Sequence, residues 1–122
     1  GRVLAAFRSE QEVDDLIEMH RRAVGEPELD RAEFDAHLKR IRASGYEKMP
    51  SATTVGVTNI SFPVFGPTNN VVAVLSCPFL KRLDDLDVPS LDEIVELYRD
   101  LAKELTALYG GGHEQFIKSE TP

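Results

Sequence analysis

The sequence is poor in several things, and each shortage excludes something. It holds one cysteine, Cys77, and no tryptophan. A single cysteine rules out an internal disulfide framework and fits a reducing compartment. Positive charge is also scarce, with 14 Lys and Arg against 21 Asp and Glu and a net charge of −7. Nucleic-acid affinity needs clustered cations. Here Arg21-Arg22, Lys39-Arg40 and Lys81-Arg82 are each flanked by acids, so these residues are not expected to contact DNA. No apolar run approaches the ~18 residues of a membrane span, and no signal-peptide pattern is present. The expected location is cytoplasmic, without a membrane partner.

Catalytic signatures are missing too. There is no Gly-rich phosphate loop, no Gly-x-Ser-x-Gly elbow and no His-Glu-x-x-His. The three histidines, His20, His37 and His113, lack metal-ligand spacing. Asp84, Asp85 and Asp87 fall in a loop before a helix, where acids are common and solvated. Cys77 reads as a small core residue rather than a nucleophile. The expectation is a protein that is not an enzyme, with no metal and no cofactor.

What is present amounts to one domain: 122 residues, 42% of them apolar. Three helices begin with the same device. Ser9 is followed at three residues by Glu12, Asp30 by Glu33, and Ser90 by Glu93. Ser or Asp accepts from an orphan amide of the first turn, and the acid answers back and favours the positive helix end. After the first cap, Val13, Leu16, Ile17, His20 and Val24 recur at helical spacing, and Gly25 and Pro27 close the segment. After the second, Phe34, Leu38 and Ile41 share a face, and Gly45 is the stop. After the third, Leu91, Ile94, Val95, Tyr98, Leu101, Leu105 and Leu108 form a long stripe that Gly110-Gly111-Gly112 ends. The segment GRVLAAF at the start also reads as helix. Residues 1–112 are expected to form the domain, and residues 113–122 a flexible polar tail.

Between the second and third capped helices lies the β region. Val55 to Phe65 and Val71 to Cys77 are rich in β-branched and aromatic residues. Gly66-Pro67-Thr68-Asn69 supplies turn chemistry. With Phe65 facing Asn70 across a four-residue loop, Asn59 pairs with Ser76, Ser61 with Val74, and Pro63 with Val72. Side chains alternate faces. Asn59, Ser61, Val74 and Ser76 then share one face with Val55 and Val57, and Ile60, Phe62, Val64, Ala73 and Leu75 share the other. Both faces are substantially apolar, so both are expected to be covered. Two strands alone are marginal, and Tyr46 to Met49 is the one further short strand. The expectation is an α+β domain whose first strands lie upstream of Gly1.

These residues resemble the C-terminal effector-binding domain of IclR-type bacterial transcriptional regulators. GRVLAAF (1–7) resembles the family's Gly-Lys/Arg-x-Leu-Leu-Ala helix start, and SEQEVDDLI (9–17) its first capped helix. RASGYEKMPSATTVGVTNISFPVF (42–65) resembles its signature of Gly-Tyr, a spaced Gly and a Pro-Val-Phe end. VVAVLSCPFLKRL (71–83) is similar to its last strand and exit. The resemblance covers most of residues 1–112. It implies a GAF/profilin-like antiparallel sheet flanked by helices, incomplete here at the N-terminus. It also implies an N-terminal winged helix-turn-helix that binds DNA and is absent from this chain.

The same resemblance places an effector cavity over one sheet face. In the family its polar contacts come from positions matched here by Asn59, often Cys, and by Val74 and Ser76, both often Ser, so that Val74 is an apolar departure. Ser61 lies on that face by strand alternation, and Met49 stands where the family often has an acid. The departures imply a less acidic, more apolar pocket for a small organic acid with an apolar or aromatic body. Three functions stay open at this point. The first is a ligand-sensing module, in a homodimer or tetramer, that alters DNA binding by the absent domain. The second is a dimerisation module with a vestigial pocket. The third, an enzyme acting on a small molecule, lacks a nucleophile–base pair. Asn59 and both serines could equally serve in ordinary bonding to nearby backbone, side chains or water.

Overall fold

The computed structural model describes residues 2–24, 30–80 and 89–111. In chain order the elements are α1 (Arg2–Ala6), α2 (Glu10–Val24), α3 (Arg31–Ser44), β1 (Glu47–Pro50), β2 (Val57–Phe65), β3 (Val71–Leu80) and α4 (Leu91–Leu108). The strands form one antiparallel sheet in the order β1-β2-β3, and the α+β class holds. The expected ends at Gly25 and Pro27, the Asp84–Asp87 loop and the tail from His113 lie outside the described residues.

The capped starts form as their spacing dictates. At α2 the Ser9 hydroxyl accepts from the Glu12 amide at 3.2 Å, and the Glu12 carboxylate accepts from the Ser9 amide at 3.3 Å. The Ser9 hydroxyl and amide, with Arg8 beside them, hold the Glu12 carboxyl below its usual range. Asp30 accepts from the Glu33 amide at 3.1 Å and Ser90 from the Glu93 amide at 3.2 Å. Gly45 stops α3 at φ 85°, a left-handed conformation that costs a glycine little. At the end of α4, Gly110 donates to Ala107 and Gly111 to Thr106, at 3.1 and 2.8 Å. This is the two-bond glycine closure of a helix C-terminus.

The sheet has helices on both faces. On one, α4 packs Val95 and Ala102 against Ile60, Phe62 and Cys77. Tyr46 stacks on Phe62 with ring centroids 4.7 Å apart, and the Arg99 guanidinium lies 5.3 Å from the Tyr46 ring centre. Cys77 is half-buried here, and its hydrogen bond to Tyr98 pushes that phenol up. On the other face, α1 and α3 join Val3, Ala6, Leu38 and Ile41 into a second core that reaches Val74.

The hairpin register differs from the expected one by two residues. Ser61 pairs with Ser76 and Asn59 with Pro78, rather than Asn59 with Ser76. Two separate single-residue changes produce this. The loop runs over residues 66–70, so Phe65 pairs with Val71, and β3 then carries an extra residue, since Val64 pairs with Ala73. An offset of one would have turned β3 over, but an offset of two leaves every side chain on its expected face.

Three further details depart from the sequence expectation. Val55 is 99% exposed in the turn before β2 instead of on the sheet. β3 continues past Cys77 to Leu80 and includes Pro78, which an edge strand tolerates because its missing N–H need not serve a second neighbour. In α4, Leu101 and Leu108 point outward, whereas Ala102 and Thr106 face in. At the irregular step in the ladder the Phe65 amide turns to the buried Thr106 hydroxyl, which accepts at 3.1 Å. Thr106→Val keeps the shape and removes this acceptor. It is expected to cost about 1–3 kcal/mol, read from urea unfolding, with Thr106→Ser retaining part of the stability.

Candidate functional site

Strand alternation places Glu47, Met49, Asn59, Ser61, Val74 and Ser76 on one face of the sheet, the face that α1 and α3 partly cover. They fall into rows set by the register. Glu47 stands opposite Ser61, and Ser61 opposite Ser76. In the next row Met49 stands opposite Asn59, and Asn59 opposite Pro78. The Ser61 and Ser76 hydroxyls bond each other at 3.0 Å. Asn59 and Ser76 are exposed, while Ser61 and Met49 are half-buried.

The five residues expected from the sequence are therefore distributed unevenly. Ser61 and Ser76 touch. Asn59 and Met49 are register neighbours one row away. Val74 pairs with Pro63 and is drawn into the packing under α1 and α3.

Two charged residues join this face that the sequence reading passed over. Glu47 precedes Met49 by two, so strand alternation alone would have found it. Arg2, at the first turn of α1, has no such signal, because it arrives through the tertiary fold. Its Nε lies 2.8 Å from Glu47 Oε2, and its Nη2 donates to the Met49 sulfur. The Glu47 contact is an ion pair without hydrogen-bond alignment, and Oε2 is buried with no hydrogen-bonding partner among the described residues. The face is thus more charged than the expected apolar pocket.

Beside it, between α3 and β1, lies an open cavity of about 600 Å³. Glu47 and Met49 line both surfaces. Ile41 and Tyr46 add apolar wall, and Arg40 and Lys48 add positive charge. The volume suits a small organic molecule. His37 also lines this cavity, with its Nδ1 2.8 Å from Arg40 Nη2. Among the described residues no group of His, Cys, Asp and Glu is arranged to hold a metal ion, and no helix is long and apolar enough to cross a membrane.

Comparison with known proteins agrees with this architecture. Residues 1–107 match the family described as bacterial transcriptional regulator IclR C-terminal, and the chain belongs to that family. Among solved structures it is similar to HmgR of Pseudomonas aeruginosa, at 26% identity and TM-score 0.62 over 91% of this chain and 43% of that one. It is similar to the C-terminal domain of the Escherichia coli transcriptional regulator KdgR, at 23% identity and TM-score 0.66 over 89% of this chain and 66% of that one. A third is the inducer-binding domain of the Acinetobacter transcription factor PobR, a double mutant in complex with 3-hydroxybenzoic acid. That match has 24% identity and TM-score 0.65 over 88% of this chain and 62% of that one. No curated protein sequence matches. The chain spans less than half of HmgR, at 43%. It is an effector-binding domain of the kind found at the C-terminus of IclR-type transcriptional regulators.

The serine pair has little structural duty, since it is half-open to water. The double substitution Ser61→Ala with Ser76→Ala is expected to change stability by less than about 1 kcal/mol, the net worth of one such bond. Calorimetric unfolding checks this, and a much larger loss would make the pair a structural element.

Proposed function

We propose that this chain senses a small organic acid on the Asn59–Ser61–Ser76 face and, as part of an oligomer, passes that signal to a DNA-binding domain elsewhere in the regulator. Residues 1–112 form the sensing unit of a cytoplasmic protein, and DNA is a partner only through the other domain. The observation that carries this reading is the row of polar groups on a sheet face left partly open beside a small-molecule-sized cavity. A few polar groups bordering an apolar cavity are the usual pattern of a ligand site. The PobR domain bound to 3-hydroxybenzoic acid supports the ligand class. Asn59 both donates and accepts, and so does each serine, so a hydroxyl or carboxylate on the ligand finds a partner in either role. Signal transfer needs a ligand that binds one arrangement of the oligomer better than another.

A thermal-shift screen of small aromatic and aliphatic acids tests the sensing role, because bound ligand raises stability by RT ln(1 + [L]/Kd). With any hit, Asn59→Leu is expected to weaken binding by about 1–3 kcal/mol, roughly 5- to 150-fold. Unchanged affinity in that variant removes Asn59 from the site, and a screen without hits favours a dimerisation module with a vestigial pocket.

The oligomer contact fits the outer row of α4. Leu97, Leu101 and Leu108 are exposed there at helical spacing, with Tyr109 beside them. Two-fold pairing suits regulators that read paired half-sites. Leu101→Lys together with Leu108→Lys is expected to shift sedimentation toward monomer. An unchanged profile would move the contact to another surface, with the exposed Leu16 and Met19 of α2 next in line.

A further inference from the structure

Arg2 is held in an unusual state. A guanidinium carries five N–H donors in a rigid fork that matches a carboxylate. Here one donor goes to the Met49 thioether, a weak acceptor, and Nε faces Glu47 Oε2 at 2.8 Å without alignment. Glu47 is the more enclosed partner, with its side chain 16% exposed against 35% for Arg2. Its Oε2 is buried and has no hydrogen-bonding partner among the described residues. Glu47 therefore keeps unfilled bonding capacity where water is largely shut out, a costly arrangement, while the more exposed Arg2 keeps donors free for a better-matched acceptor. Arg2's two partners, Glu47 and Met49, also line a cavity large enough for a small acid, so the guanidinium lies one side chain away from it.

We infer that Arg2 is the residue that recognises the acid group of the ligand, and that Glu47 is an internal stand-in which the ligand's carboxylate displaces. The inference rests on the sensing role above and adds the charge that selects the ligand. An entering carboxylate offers Arg2 two oxygens in the fork geometry, which the side-on Glu47 does not. Displaced Glu47 is not stranded, since Ser61 stands opposite it and has a hydroxyl to donate. Arg2 opens α1, and Glu47 opens β1. Exchange of partners thus replaces a direct α1–β1 tie with one that runs through the ligand, so the state of α1 reports occupancy.

The sequence contains two methionines, which makes the test direct. Met49 touches Arg2, whereas Met19 lies 63% exposed on α2 and serves as a control. The whole chain, carrying 13C-methyl methionine, is titrated with benzoate, 3-hydroxybenzoate and hexanoate, and with the amide of each. The acids are expected to move the Met49 signal and leave Met19 in place, and to bind about tenfold or more tightly than their amides. Arg2→Gln should abolish that preference. Glu47→Gln should strengthen acid binding several-fold by removing the competitor. Arg2→Lys keeps the charge without the fork, and should fall between native and Arg2→Gln. It also serves if Arg2→Gln fails to give a folded spectrum. Equal binding of acids and amides to the native chain would overturn the inference and leave the sensing role intact. So would an acid preference that survives in both Arg2 variants. If no compound shifts any signal, the sensing role falls and this inference falls with it.

Discussion

The structure hangs on β2. Among the described strands it alone has a hydrogen-bonded neighbour on each edge, and its residues from Phe62 to Phe65 are buried. A strand covered on both sides cannot slip without exposing one core or burying polar groups in the other. That constraint is visible at the hairpin. The loop is one residue longer than its turn chemistry suggested, and the ladder absorbs one extra residue in β3, so the two irregularities together keep each face intact. The amide at the irregular step finds its partner in Thr106 of α4, which ties the last helix to the strand at the point where the ladder weakens.

With β2 fixed, the polar residues have only one place to go. Ile60 and Phe62 alternate with Asn59 and Ser61 and commit one face to α4. The second face is then shared. Toward the hairpin, Pro63 is buried and Val74 is half-buried beneath α1 and α3. Away from it, Asn59 and Ser76 stay open. Core and site are thus two stretches of the same face, divided by how far α1 and α3 reach.

Charge enters the site from the edge rather than from the centre. Glu47 and Met49 belong to the short β1, and Arg2 reaches both from α1. A well-formed buried ion pair would stabilise the fold and resist exchange. An ill-aligned one is easier to exchange for a better partner, because breaking it forfeits less than an aligned bidentate pair would. The Arg2–Glu47 pair is of the second kind, which suits a domain whose task is to respond to a ligand.

The sequence by itself determined whatever depends on short spacing. Ser9, Asp30 and Ser90 each precede an acid by three, and each formed its cap. The gathering of Asn59, Ser61 and Ser76 onto one face was also legible, because strand alternation has period two and survived an error of two in the register. So was the family, whose motifs run from Gly1 onward. The tertiary structure decided the rest. The apolar stripe of α4 was too wide to say which side turns inward, and the sheet selected Ala102 and Thr106 over Leu101 and Leu108. Val74 joins the packing beneath α1 and α3, a placement that strand alternation alone does not give. Arg2 meets Glu47 across 45 residues of chain. No local period encodes such a meeting, which arises only when α1 and β1 are packed against the same sheet.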